Sequence, residues 1–418
     1  MAARRERAAL VGLITGRAPR LDAERSLDEL AGLADAAGAT VVLRVLQERP
    51  KPDPSTFVGA GKLVTIGASC AETGADLVIF DHELTPAQLR NIEKEVHRKI
   101  VDRTQLILDI FARRAKTREG KLQVELAQLK YLLPRLVGSA EALSRLGGGI
   151  GTRGPGETKL ESDRRRIRAK IHAIAEDIDE VRRRRARLRE RRHKASVPTV
   201  ALVGYTNAGK TTLFNALTSS AAEASDALFV TLDPLVRPMR LPDSRELLVS
   251  DTVGFIDRLP HELVAAFRAT LEEVASADLI VHVIDAATTD RDRRVGAVNQ
   301  VLQEVGADEV ERLDVYNKCD LISSDERRRL QEQDPAGLCI SALDGQGMEE
   351  VVDTVTSRLA LDVRRLSLTF DPDRADDRDR IARLYRHGRV LEHEVRDGRI
   401  TIVADVPRRL VSRFEPST

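Results

Sequence analysis

From residue 9 to about 110, short apolar and β-branched runs alternate with segments of helical period. "ALVGLIT" precedes the helical "LDELAGLADAAG", and "TVVLRVL" follows. Past the turn-rich "ERPKPDPST" come a helix around 61–73, the strand "DLVIF", a helix after "LTPAQL", the strand "KIVD" and the helical "TQLILDIFARRA". Strands alternating with helices predict a small parallel α/β domain over 1–111. Pro86 falls where a first-turn proline belongs, with Thr85 as its N-cap.

From residue 112 the period changes. Leu122, Leu126, Leu129, Leu133, Leu136, Ala140 and Leu143 are spaced alternately by four and three, and so are Ile167, Ile171, Ile174, Ile178 and Val181, with Leu188 one heptad on. Two such stretches joined by a turn predict a long antiparallel helical hairpin over 112–194. Its first arm should kink at Pro134, and its tip should be "GGGIGTRGPGETKLE", residues 147–161. Strand–helix alternation returns over 195–362, predicting a second α/β domain. The segment 363–418 reads as a strand, a helix and two strands about the turn "RDG", a separate small α+β domain.

Charge sharpens this picture. The chain totals +1, yet residues 112–194 hold 24 Lys/Arg against 11 Asp/Glu, so one segment is strongly basic and the remainder acidic. That points to a polyanion partner met at a defined place. Aromatic residues make up 3% of the chain and tryptophan is absent, which disfavours recognition by base stacking and favours phosphate and shape contacts. Cys70, Cys319 and Cys339 form no close pair, and the histidines lack metal-ligand spacing, arguing against disulfides and structural zinc. No apolar stretch approaches bilayer length, and "MAARRERAAL" lacks the apolar core of a signal peptide. A cytoplasmic chain with no membrane span is expected.

The sharpest chemistry lies in "GYTNAGKT", which places Gly204, Gly209, Lys210 and Thr211 in the G-x-x-x-x-G-K-[ST] spacing. Such a loop curls backbone N–H groups around phosphates, here those of Tyr205, Thr206, Asn207 and Ala208 besides the glycines. Lys210 would reach the β- and γ-phosphates, Thr211 would bind Mg²⁺, and Thr212 opens a helix whose positive end faces the phosphates. In "SDTVGF", Asp251 at a strand's end would hold a Mg²⁺-bound water. Gly254, after Thr252 and Val253, would offer an N–H to the γ-phosphate. "VYNKCD" supplies Asn317, Lys318, Cys319 and Asp320. The Asp320 carboxylate can accept from guanine N1–H and N2–H₂, a donor pair adenine lacks, while Lys318 lies along the base. "CISALDG" adds Ser341, Ala342 and Leu343, whose backbone can reach guanine O6. Four ordered motifs at strand ends select GTP.

A second Mg²⁺ ligand belongs on a mobile loop, and Thr231 in "LFVTLDP" is the candidate. With Phe229, Val230, Leu232 and Asp233 around it, a segment of about 226–237 would order with GTP and release on hydrolysis. Phe255 stands where many switch GTPases carry a water-orienting Gln. Hydrolysis then needs a partner or a monovalent cation; K⁺ held by Asn207 is the candidate. The catalytic set expected is Lys210, Thr231, Gly254 and Asn207.

Together these residues resemble the HflX family of ribosome-associated GTPases. The likeness extends through "FVGAGK", "DRTQLILDIFARRAKTREGKLQVELAQLKYLLPRLVG" and "LSRLGGGIGTRGPGETKLESDRR", spanning about 57–345. The resemblance implies GTP-dependent binding to the large ribosomal subunit and its rRNA, and splitting of stalled or idle ribosomes under stress; a monomer whose hydrolysis the ribosome stimulates is expected. Arg153 and Lys159 in the tip loop are the expected RNA contacts. "FVGAGK" is itself no phosphate loop, because Thr56 occupies the first glycine position; Gly59 and Gly61 read as turn residues. Two other readings stay open: a GTPase of large-subunit assembly, and a GTP-dependent RNA-binding protein whose hydrolysis is incidental.

Overall fold

A computed structural model of the chain describes residues 5–16, 19–144, 155–194, 197–220, 222, 228–229, 231–232, 235–241, 246–258, 271, 273–359, 363–372, 374–396, 398–407, 411 and 414. Its first unit is a four-stranded parallel sheet in the order β2-β1-β3-β4, built from β1 (Glu6–Thr15), β2 (Ala39–Arg49), β3 (Leu77–Phe80) and β4 (Lys99–Asp102). Alternation along β1 sends Ala8 and Leu10 to one face and Ala9, Val11 and Leu13 to the other. Helices α2 (Ala60–Thr73) and α3 (Pro86–Val96) cover the second face, while α1 (Arg20–Ala36) and α4 (Arg103–Arg114) cover the first. Parallel strands buried on both faces need this double cover. Thr85 caps α3 in a full capping box with Gln88, and Pro86 is its first residue.

The "FVGAGK" turn expectation is corrected. Gly59 is the N-cap of α2 at φ −63°, and Gly61 lies within that helix; the left-handed residue is Phe57, at φ 64°. Phe57 is buried between Phe80 and His82, so its ring's packing outweighs the backbone cost.

Two helices follow, α5 (Arg118–Ser144) and α6 (Pro155–Lys194), packed against each other. Leu126 meets Ile174 and Ile178 between them, flanked by Leu122, Leu129 and Ile171. A second face of α5, carrying Val124, Ala127 and Tyr131, enters the core of the first unit. The helix runs through Pro134, whose own ring is exposed. At 1.5 Å per residue the 40 residues of α6 extend about 60 Å. Residues 147–154 of the expected tip, with Arg153, lie outside the described residues. The remainder is corrected: Pro155 opens α6 with its fixed φ, so Lys159 stands on a helix rather than in a loop.

The second sheet has the order β10-β9-β8-β5-β7-β6 and comprises β5 (Thr199–Gly204), β6 (Leu235–Arg240), β7 (Glu246–Asp251), β8 (Leu279–Asp285), β9 (Arg312–Asn317) and β10 (Leu338–Cys339). All pairings are parallel except β6 with β7. Strand β6 escaped the sequence reading, which assigned residues up to 237 to a mobile loop. Its Pro238 is tolerated because β6 is an edge strand. Helices α7 (Lys210–Thr218), α8 (Arg291–Glu304), α9 (Ser324–Gln333) and α10 (Met348–Arg358) flank this sheet. A three-stranded antiparallel sheet, β11 (Val363–Phe370), β13 (Arg399–Pro407) and β12 (Arg389–Arg396) in that order, ends the chain with α11 (Ala375–His387). Leu384 of α11 packs with Phe370, Ile402 and Ala404 in its own core. One core is shared more widely: α1, α4 and α5 bury their apolar sides together with Tyr205, Phe229, Phe255 and Ile280 of the second unit.

Candidate functional site

The carboxyl ends of β5, β7 and β9 converge on one site. At Gly204 (φ 152°) an added Cβ would overlap the Val283 carbonyl oxygen of the neighbouring strand, and at Gly209 (φ 90°) it would overlap the Asn317 amide. Only glycine lets the loop pass between those walls. Asn207, also left-handed at φ 60°, sits exposed at the loop's crest, and Ala208 is buried beneath it. Lys210 is buried, its Nζ donating to the carbonyls of Gly204 (3.0 Å) and Tyr205 (2.8 Å). Burial lowers its pKa to about 8, with the Asp251 charge opposing. A phosphate brought into the loop would supply the negative charge this ammonium is short of.

Three side chains close one end of the loop. The Thr211 hydroxyl donates to Asp251 Oδ2 at 2.8 Å, the Thr231 hydroxyl reaches the same oxygen at 3.0 Å, and the two hydroxyls stand 2.9 Å apart. Asp251 Oδ1 and Thr206 Oγ1 are buried with no hydrogen-bond partner among the described residues. Burial raises the Asp251 pKa, against the pull of Lys210 and the two threonines. Hard oxygen donors beside a carboxylate with one unpartnered oxygen fit a small divalent cation. Gly254 closes over the loop, where a Cβ would come within 2.9 Å of Thr206 Cγ2 and 3.1 Å of Lys210 Nζ.

The base side is organised by Asn317. Its Nδ2 donates to the Ala208 carbonyl and its Oδ1 accepts from the Ala342 N–H, both at 2.9 Å, so one buried amide fastens three loops. Lys318 (φ 64°) pairs with Asp285 at 2.9 Å. Asp285 was missed in the sequence, although it ends β8 in "VID". Asp320 is exposed on a short 3₁₀ turn beside them. Ser341 and Ala342 are buried and Leu343 is 80% exposed, leaving their backbone to line the opening.

Several expected contacts turn elsewhere. The Cys319 thiol donates to the Tyr316 carbonyl and packs with Ala286, Leu330 and Cys339; burial pushes its pKa up to about 12. The Thr252 hydroxyl donates to the Leu202 carbonyl. Val253, Phe229, Leu232 and the Tyr205 ring are buried in the shared core. These residues can offer a nucleotide only backbone, because apolar burial claims their side chains. Val230 and Asp233 lie outside the described residues. Thr212 is half-buried in the first turn of α7. Phe255 is 1% exposed, and its N–H donates to the Gly204 carbonyl while its carbonyl accepts from the Thr206 N–H. Its ring is held in the shared core.

Among the described residues no helix is long and apolar enough to cross a membrane. Three family profiles match the chain: GTP-binding GTPase N-terminal over residues 24–112, GTP-binding GTPase Middle Region over 114–192, and 50S ribosome-binding GTPase over 199–318. The GTPase HflX of Caldanaerobacter subterraneus subsp. tengcongensis is 45% identical over 414 residues, covering 98% of this chain and 93% of that protein. The GTPase HflX of Escherichia coli K12 is 45% identical over 383 residues, covering 91% and 89%. A crystal structure of a GTP-binding protein from Sulfolobus solfataricus in complex with GDP covers 85% of this chain and 98% of its own at 23% identity and a TM-score of 0.45. GTPases of this fold in general require Mg²⁺, which matches the oxygen donors gathered at Asp251. With relatives so similar over nearly its whole length, the chain belongs to the HflX family of GTPases, enzymes that bind GTP and hydrolyse it.

Proposed function

We propose that the protein is a cytoplasmic, monomeric GTPase that binds the large ribosomal subunit in its GTP state and splits stalled or idle ribosomes under stress. The observation that carries this reading is a composite nucleotide switch joined to a basic helix. Thr231 meets Thr211 and Asp251 at one end of the phosphate loop, and α6 presents exposed Arg165, Arg166, Arg168, Arg183, Arg184 and Arg187. Relatives of residues 199–318 are described as 50S ribosome-binding GTPases. Arginines along a helix suit the phosphates of structured RNA. Arg153 and Lys159 are further RNA contacts in this reading.

In this reading the nucleotide lies along residues 204–212, with Lys210 and the loop N–H groups holding the phosphates and Gly254 donating to the γ-phosphate. Asp320 reads guanine beside Lys318 and the backbone of residues 341–343. Thr211 and Thr231 ligate Mg²⁺, with Asp251 acting through water, and the ion neutralises charge on the phosphates. Asn207, exposed at the loop crest, holds K⁺ as a further fixed charge.

The buried Phe255 favours a second reading, GTP-gated RNA binding with incidental hydrolysis, since no side chain at that position orients water. Sedimentation of intact ribosomes with GTP separates the two. Conversion of 70S particles to subunits supports splitting; stable binding without conversion contradicts it.

A further inference from the structure

A chain of buried polar contacts joins the N-terminal unit to the nucleotide site, and none of it is needed to bind phosphate or base. Arg103 opens α4 and is 3% exposed. It donates from Nη1 to Asp81 at 2.9 Å, and from Nη2 to Glu29 and to the main-chain carbonyl of Asp257, the latter at 3.2 Å. Glu29, on α1, also accepts from the Tyr205 hydroxyl, which in turn accepts from the Asp257 N–H at 2.8 Å. The N–H and the C=O of Asp257, three residues past Gly254, are thus both tied into one network with Glu29 and Arg103. The next residue, Arg258, reaches His82 at 3.1 Å and Asp81 at 3.6 Å.

An apolar contact does the same for the loop that carries Thr231. Phe229 packs edge to face on Phe111 of α4, with ring centroids 4.6 Å apart. Leu228 lies over Gly32 of α1, where an added Cβ would come within 3.2 Å of its Cδ1. Two residues from Phe229, Thr231 stands against Thr211 and Asp251. The N-terminal unit therefore holds both segments that a γ-phosphate would order.

We propose that the N-terminal domain selects the triphosphate state: its docking through Glu29 and Arg103 holds Leu228, Phe229, Thr231 and residues 254–258 closed on the site, so docking and GTP binding favour each other. Glu29 and Arg103 are positioning residues, touching no nucleotide. Glu29 and Arg103 belong to the N-terminal unit and Tyr205 and Asp257 to the second, so undocking would break the hydrogen bonds that join them. A diphosphate offers nothing to hold Gly254 and Thr231 in place, so these segments loosen and carry the docking contacts with them. Linkage then requires the effect to run both ways. The inference rests on GTP binding alone and is independent of any ribosomal partner.

The test uses the full chain with Mg²⁺, titrated with fluorescent GDP and with a fluorescent non-hydrolysable GTP analogue. Arg103→Lys keeps the charge but removes the forked donor, and Glu29→Gln removes one charge. Each should weaken the analogue at least fivefold while GDP affinity changes less than twofold, and the double variant should be no weaker than the worse single one. Hydrogen exchange in α1 and α4 should be slower with the analogue than with GDP, and that difference should shrink in both variants. Should Glu29→Gln not fold, Arg103→Lys decides alone. Equal weakening for both nucleotides would reduce the contacts to a structural role and overturn the proposal, as would an unchanged ratio or exchange indifferent to the nucleotide.

Discussion

The hydroxyl of Thr231 stands 2.9 Å from that of Thr211, twenty residues earlier in the chain, and both bond to the same oxygen of Asp251. Two neutral hydroxyls on one carboxylate oxygen, with the second oxygen buried and unpartnered, form the donor set a divalent cation would occupy. Thr231→Val keeps the shape and removes the oxygen. It should lower the single-turnover hydrolysis rate at least tenfold and weaken a GTP analogue in Mg²⁺ while leaving GDP affinity unchanged. Equal loss for GDP, read by fluorescence titration, would remove Thr231 from the metal site.

Asp320 and Asn317 should fail differently. Asp320→Asn places a donor against the guanine N–H groups at an exposed position, a clash of roughly 1–3 kcal/mol; GTP affinity should fall, xanthosine triphosphate affinity should rise, and the melting temperature should hold. Asn317→Ala removes two buried hydrogen bonds that fasten the phosphate loop to the base loops. Leaving those backbone groups unpaired costs about 2–4 kcal/mol, so stability and nucleotide affinity should fall together. A thermal melt beside each titration distinguishes the cases.

Asn207 carries the monovalent-ion assignment. Hydrolysis should be slower in Na⁺ than in K⁺ at equal ionic strength, and Asn207→Ala should abolish the difference. Equal rates in both salts for the unaltered protein would eliminate a bound K⁺.

His282 should set an acid limit to stability. It is 1% exposed in β8, with Nδ1 3.0 Å from Asp314 of β9. Burial holds its pKa below the ordinary 6.5, a pull stronger than the opposing one from Asp314. The unfolded chain therefore binds the proton more readily, so stability is full above about pH 6.5 and declines as pH falls toward the folded-state value. The melting temperature should drop between pH 7.5 and 5.5, and His282→Gln should flatten that slope. An identical slope in the variant would place the acid sensitivity elsewhere.

The alternation of strands and helices was legible because both sheets are mainly parallel and buried on both faces, which writes apolar runs into the sequence. The phosphate loop and the guanine-reading residues were legible because their chemistry demands residue types at fixed spacing. Strand β6 was not, since an edge strand carrying Pro238, Arg237 and Arg240 among its six residues gives a weak signal. Neither was the helical start at Pro155, hidden in a glycine-rich stretch. The largest omission was tertiary. Motif position marks Tyr205 for its backbone N–H and Phe229 for its place beside Thr231, while their side chains serve the joint with α1 and α4. Glu29 and Arg103 lie 176 and 102 residues from Tyr205 in the chain, and no local pattern marks either.

On the proposed function the large ribosomal subunit completes the hydrolytic site, because the Phe255 ring is held in the core and orients no water. Single-turnover GTP hydrolysis with and without purified large subunits tests it most directly. The rate should rise at least tenfold with subunits. A rate unchanged by subunits, or already fast without them, would contradict the account.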